Sequence, residues 1–344
     1  MPKQRILPFF LPMQGCDRQC VYCDQQAISG ETQPPQRTEI QAALAQLEPG
    51  SGVELAYYGG SFTCLPRDTQ LGYFALAQGA LAEGRLAGLR ISTRPDAVPP
   101  ETCAWLKQQG VSCVELGVQS FDDQVLTAAG RGYTAQQARE GAAAVTQAGL
   151  ILGLQLMTGL PLDTPALSLA SMGEAIACGP SLLRVYPTLV LKNTPLARMY
   201  QAGTYQPQTL EVAIACCVAM VKLAVAADIP IQRLGLNPSP SLEAALLAGP
   251  YHPAFGGLVW EALKKEQLQE LLHDLEPEAP GLLTFPKSEL PLVFGQKRQT
   301  MLWLSRNWPN LALLPDQDLP LGELLLQQGE SRRQSSLRDF CSRP

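Results

Sequence analysis

Apolar positions recur in two alternating textures between about residues 36 and 235. Short continuous apolar runs at 53–58, 89–93, 113–118, 151–157, 182–186 and 229–234 predict strands, and an earlier run at 6–11 predicts a first one. Longer stretches at 38–47, 71–83, 101–109, 135–148, 167–178 and 208–227 predict helices. Strand runs separated by helices are the mark of a parallel sheet covered by helices. The repeat predicts an α/β fold, a complete or partial (β/α) TIM-like barrel, with a doubly wound open sheet as the alternative. Either way ligands gather beyond the C-terminal ends of the strands, where the chemically suggestive residues fall.

The register changes at Asn237-Pro238-Ser239-Pro240, a turn-rich break. Beyond it come a predicted helix at 261–271 and short mixed elements. The expected division is therefore a core domain at 1–235 and a small C-terminal extension of unknown role at 236–344. The 344-residue chain is long enough to bury a large core, and its 46% hydrophobic content is globular. A net charge of −5 with only 17% charged residues makes a poor non-specific polyanion binder, so nucleic acid is possible as a substrate but not favoured. Pro8, Pro12 and Gln14 interrupt the first apolar run, which does not read as a signal peptide, and no run of about 20 apolar residues predicts a membrane span. The expected location is the cytoplasm, without a membrane partner. In a reducing compartment clustered cysteines read as metal sites, catalysis or core packing rather than disulfides.

The sharpest feature is Cys16-Asp17-Arg18-Gln19-Cys20-Val21-Tyr22-Cys23, a CxxxCxxC loop directly after the first predicted strand. Soft sulfur ligands select zinc, Cu(I) or iron–sulfur clusters. Structural zinc wants four ligands, and the only histidines, His252 and His273, lie more than 200 residues away. A four-iron cluster on three cysteines would leave one iron open to a cofactor or substrate. Of the seven other cysteines most read as small buried hydrophobes, with Cys64, beside a glycine turn, set apart.

This motif, with an aromatic before its third cysteine, resembles that of the radical S-adenosylmethionine (radical SAM) superfamily. The resemblance implies a [4Fe-4S] cluster on Cys16, Cys20 and Cys23 that binds S-adenosylmethionine, and reductive cleavage to a 5'-deoxyadenosyl radical that abstracts hydrogen from a substrate. Further stretches resemble the Elp3 subgroup, the catalytic subunit of the Elongator tRNA-modifying complex: Tyr58-Gly59-Gly60-Ser61-Phe62-Thr63, Ser92-Thr93-Arg94-Pro95-Asp96, Glu115-Leu116-Gly117-Val118-Gln119-Ser120, Arg131-Gly132-Tyr133-Thr134, Leu156-Met157-Thr158-Gly159-Leu160-Pro161 and Arg184-Val185-Tyr186-Pro187. The resemblance is to the radical domain only, without an acetyltransferase domain, and position 133 is Tyr where the subgroup often has His. Enzymes related to anaerobic coproporphyrinogen oxidase share the layout more loosely.

The candidate cofactor residues are Tyr22, Gly59, Gly60, Ser61, Thr93, Arg94, Glu115, Gln119, Arg131 and Met157; the candidate catalytic residues are the three cysteines with Glu115, Arg184 and Tyr186. A glycine pair lets backbone approach a ligand closely, and by resemblance this turn meets the amino group of S-adenosylmethionine. Tyr22 could pack on adenine, contact it through its backbone or simply anchor the loop, and Met157 could pack near the adenine or in the core. Ser61 and Thr93 enter through the matched motifs. Arg94 and Asp96 flank Pro95 at a strand end, where the charge could hold a carboxylate, a ribose or a substrate anion. By alternation Glu115 faces a barrel interior and needs a partner there, Arg131 or the cofactor. Gln119 could reach ribose hydroxyls. Arg184 and Tyr186 share a side, Arg184 to clamp a substrate anion and Tyr186 to donate a hydrogen bond or relay a radical. The expected electron donor is of the flavodoxin or ferredoxin type. Nucleic-acid modification and a non-catalytic iron–sulfur or S-adenosylmethionine-binding module are the competing functions. The sequence leaves substrate and oligomeric state open.

Overall fold

A computed structural model describes residues 5–12, 14–17 and 20–343. Arg18 and Gln19 of the cysteine motif lie outside the described residues. By its internal contacts the chain groups into two compact units, residues 1–209 with 231–253, and residues 210–230 with 254–344. The helix Leu210–Ala226, expected in the core domain, groups with the second unit.

The first unit is built on seven parallel strands: β1 (Arg5–Phe10), β2 (Val53–Tyr58), β3 (Gly88–Thr93), β4 (Val111–Gln119), β5 (Ile151–Thr158), β6 (Leu182–Pro187) and a short last strand, Ile231–Leu234. They lie in the sheet in chain order, each paired with the next. A doubly wound sheet reverses direction at a switch point. This one does not, and its two edge strands do not pair with each other, so it is a partial, open (β/α) barrel.

The strands are less uniformly apolar than their runs suggest. One face carries Leu55, Tyr57, Leu89, Ile91, Val114, Leu116, Leu154, Leu156, Leu183 and Val185, all essentially without solvent exposure. The helices Pro100–Gln108, Ala135–Gln147 and Pro165–Ala177 pack on this sheet. The opposite face carries Glu54, Tyr58, Arg90, Ser92, Glu115, Gln155, Met157, Arg184, Tyr186 and Arg233, as the period of two requires. In an open barrel this inner face looks onto ligand space instead of a helix layer, which is why polar residues sit there.

Local signals set the helix boundaries. Thr134 and Gln137 form a capping box at Ala135–Gln147, and Thr164 caps Pro165–Ala177 with Pro165 in the first turn. The capped helix Asp123–Ala128 was not expected from the apolar pattern.

The second unit pairs the helices Leu210–Ala226 and Phe255–Leu272 with a four-stranded mixed sheet over 281–286, 311–316, 324–328 and 331–335. Its core holds Leu268, Leu272, Leu283, Phe285, Val293, Leu304 and Leu324. Lys264 is buried there and pairs with Glu289 at 2.8 Å. Among the described residues no helix is long and apolar enough to cross a membrane.

Candidate active site

The cysteine loop leaves the C-terminal end of β1 and is held from several sides. Val21 N–H donates to the Ala129 carbonyl at 3.1 Å, and Leu196 N–H donates to the Val21 carbonyl at 2.8 Å. Asp24 caps the short helix Gln25–Ser29 through Ala27 N–H at 2.9 Å. Cys20 is buried, while Cys16 and Cys23 are partly so. Burial pushes the Cys23 thiol up to about 12; Cys20 and Cys16 add to the rise, and Arg131 opposes it. Among the described residues no three His, Cys, Asp or Glu side chains close round a single metal ion. A cube-shaped cluster takes each thiolate at a different corner and does not need them to converge on one ion. An all-sulfur donor set on a partly buried loop fits an iron–sulfur cluster, and ligation would strip the proton from each thiol.

The glycine turn closes against this loop. Gly59 has φ +95°, a conformation L side chains rarely adopt. A Cβ on Gly60 would stand 2.1 Å from the Gln14 carbonyl oxygen, which also accepts from Ser61 N–H at 3.0 Å. Gly60→Ala must therefore displace the loop. Overpacking of this kind costs about 1–3 kcal/mol, and iron bound after anaerobic reconstitution should fall with it. Chemical denaturation together with iron analysis measures both, and an alanine variant with normal iron content would show that the close approach is dispensable.

At the ends of β2 and β3, Ser61 Oγ and Thr63 Oγ1 meet Thr93 Oγ1 at 2.9 and 2.6 Å. Arg94 pairs with Asp96 at 3.1 Å and also with Asp17 of the cysteine loop. Arg131 is buried beneath the loop. It donates to Cys20 Sγ at 3.2 Å, the Tyr22 hydroxyl at 3.1 Å, the Tyr133 hydroxyl at 2.8 Å and the Gly117 carbonyl at 2.5 Å. Tyr133 donates to the Gly117 carbonyl at 2.7 Å. Burial pushes the Tyr22 hydroxyl up, and Arg131 draws it back. A Cβ on Gly117 would lie 2.8 Å from the Gln119 amide nitrogen, so a larger residue there would push the Gln119 side chain aside. Gln119 itself is buried with φ +70° and accepts from Gln155 at 3.3 Å. Met157 and Tyr22 both pack against Val125, Ala129 and Leu160.

Glu115 does not meet Arg131, one of its expected partners. The reason is depth: Glu115 sits mid-strand on the inner face, whereas Arg131 returns to the strand end at Gly117. Arg90 Nη1 donates to Glu115 at 2.9 Å, Arg184 Nε lies 2.7 Å from its second oxygen, and the Tyr58 hydroxyl donates at 2.9 Å. Arg90, with no exposed surface, also pairs with Glu54 at 2.5 Å. Arg184 Nη1 reaches the Tyr186 hydroxyl at 3.5 Å, so that expected neighbour pair is brought together. Glu54, Tyr58 and Arg90 were not singled out from the sequence, although a charged residue inside an apolar strand run is a signal that a buried partner exists.

The site thus has two parts: a thiol-bearing loop at the strand ends and a charged inner face below it. A model described as Radical SAM superfamily matches residues 10–166, which span this loop and every strand end just described. A second, described as Radical_SAM C-terminal domain, matches residues 180–265, and the two together cover well over half of the chain. The chain belongs to the radical SAM superfamily. It carries the superfamily's catalytic domain and is an enzyme of that family, whose core chemistry is reductive cleavage of S-adenosylmethionine to a 5'-deoxyadenosyl radical for hydrogen abstraction. Family membership implies a [4Fe-4S] cluster and S-adenosylmethionine as cofactors.

This radical SAM chain is 27% identical over 231 residues to the tRNA uridine(34) acetyltransferase of Dehalococcoides mccartyi, covering 56% of this chain and 50% of that protein. It is 26% identical over 197 residues to protein YhcC of Escherichia coli, covering 56% and 63%. It spans about half the length of the curated relatives it matches. Among solved structures, the archaeal Methanocaldococcus infernus Elp3 with an N-terminal deletion superposes with a TM-score of 0.61 at 20% identity, covering 77% of this chain and 63% of that one. At that identity the likeness is one of fold.

Proposed function

We propose that this protein reductively cleaves S-adenosylmethionine at a cluster held by Cys16, Cys20 and Cys23, and directs the radical to a substrate on the inner face of its open barrel. The observation that carries this is the CxxxCxxC loop at the mouth of the parallel sheet, inside the stretch matched to the radical SAM superfamily. Cys16, Cys20 and Cys23 would hold the cluster, which would supply one-electron reduction of the sulfonium, the electron coming from a flavodoxin- or ferredoxin-type donor and the products being methionine and the 5'-deoxyadenosyl radical.

The chain's own residues bind, orient and exclude water. Tyr22 and Met157 offer apolar surface for the adenine. Gly59 and Gly60 bring backbone close to the amino group. Ser61, Thr93, Arg94, Gln119 and Arg131 offer hydroxyls, an amide and guanidiniums for the carboxylate and ribose. Glu115, Arg184 and Tyr186 lie on the substrate side of a core at 1–235 that supplies the radical chemistry, with 236–344 an extension of unknown role. Within the superfamily the sequence likeness is to proteins named tRNA uridine(34) acetyltransferase and Elongator complex protein 3, which supports an Elp3-like radical domain. Nucleic-acid modification is the second reading these names favour.

Anaerobic reconstitution with iron and sulfide, then S-adenosylmethionine and dithionite, tests the proposal. We expect 5'-deoxyadenosine to accumulate in proportion to bound cluster. Cluster loading without 5'-deoxyadenosine would support a binding module and overturn the enzymatic reading.

A further inference from the structure

The inner face of the barrel carries more positive than negative charge. Arg90, Arg184 and Arg233 project there from β3, β6 and the last strand, against two carboxylates, Glu54 and Glu115. Both carboxylates are already committed. Arg90 lies between them, at 2.5 Å from Glu54 and 2.9 Å from Glu115. Arg184 takes the second oxygen of Glu115 at 2.7 Å.

That leaves Arg233. Its Nε donates to the Gly235 carbonyl at 3.0 Å, and its Nη2 donates to the Asn237 side-chain oxygen. These are neutral acceptors, and among the described residues no carboxylate pairs with it. Arg233 and Arg184 are register partners on neighbouring strands, just past a register shift at Leu183/Arg184, so both project from the inner face. Arg184 is balanced by Glu115, so the surplus positive charge of this face rests on Arg233. Both residues are only partly buried, as are Tyr186 and Gln155 on the same face, so a ligand can reach them. The Tyr186 hydroxyl, two residues along β6, feels both guanidiniums.

We propose that Arg184 and Arg233 together form a subsite for an oxyanion of the substrate, a carboxylate or a phosphate group, with the Tyr186 hydroxyl as a third donor. A planar guanidinium fork matches either oxyanion, and the anion would supply the counter-charge that Arg233 lacks among the described residues, with Arg184 adding its charge from the neighbouring strand. The subsite rests on the reading that the inner face is the substrate side. It narrows the substrate class to anion-bearing molecules, anchored below the thiol loop while the reacting carbon faces the strand ends.

The test is calorimetric titration of the cluster-reconstituted full chain with saturating S-adenosylmethionine and no reductant, so that no turnover occurs. Inorganic phosphate and succinate are the probes, and chloride at matched ionic strength is the control. Binding of either probe above chloride is expected, and which one binds tells phosphate from carboxylate. Arg233→Gln should weaken it about tenfold or more, the scale of one charged hydrogen-bonded contact. Arg233→Lys, which keeps the charge and loses the fork, should fall between and guards against a folding defect in the first variant. The proposal is overturned if neither probe exceeds chloride, if Arg233→Gln binds as the native chain does, or if saturation with S-adenosylmethionine removes the signal. The last result would assign the anion to the cofactor's own carboxylate. Because the titration needs no cleavage, failure here is separate from failure of the cleavage assay.

Discussion

Serine at Cys16, Cys20 or Cys23 should each reduce 5'-deoxyadenosine formation to the level seen without protein. The argument is one of ligand chemistry. A thiolate is soft and accessible at moderate pH once metal competes for the proton, whereas a serine hydroxyl is hard and keeps its proton. Three cysteines leave no spare sulfur in the loop, so losing any one should remove the cluster and not merely weaken it. The fold should persist. Cys20 is the most buried of the three, and its packing and its contact with Arg131 at 3.2 Å survive in outline with the isosteric hydroxyl. Cys103→Ser is the matched control. That thiol is fully buried and donates to the Val98 carbonyl at 3.4 Å, remote from the chemistry, and its variant should still cleave. Iron content, the EPR signal of the reduced protein and 5'-deoxyadenosine would be followed side by side. Iron binding and cleavage that outlast all three substitutions would remove the basis of the proposed function.

The scaffold was readable because it is written in short range. The runs of β2, β3 and β5 and the boxed helix start at Thr134 are local patterns, and each element lies where those patterns place it, to within a few residues. The order of the strands follows from successive parallel crossovers, each strand pairing with the next. The thiol loop was readable for the same reason: its four-plus-three spacing needs no knowledge of the rest of the chain. What one dimension conceals is register. Glu115 was correctly assigned to the interior by alternation, yet its partner depends on which residues of β2, β3 and β6 stand at its level. Arg131 is 16 residues away in sequence but sits at the strand end, while Arg90 and Arg184 share its depth. Glu54 and Arg90 were hidden inside apolar runs, where a lone charge does not reveal its counter-charge. Arg233 was hidden by brevity, on a strand of four residues. The sheet of the second unit was missed because its outer strand, Leu311–Asp316, leaves Leu314 exposed and so lacks a clean alternation.

Those concealed pairings carry the largest stability prediction. Arg90→Met should destabilise the fold by roughly 3–5 kcal/mol, the cost of removing one member of a buried ion pair. Arg90 has no exposed surface and joins two carboxylates on different strands. Methionine fills much of the volume but leaves Glu54 with only the Ser112 hydroxyl, at 3.1 Å, while Glu115 retains Arg184 and Tyr58. The double variant Arg90→Met/Glu54→Gln should recover part of the loss, because the amide carries no charge to strand. Urea midpoints would measure this. A loss below about 1 kcal/mol at neutral pH, the worth of an exposed pair, would mean that water reaches Arg90. Glu115 would then not be rigidly held, and Arg184 would lose the fixed counter-charge that aims it along the inner face.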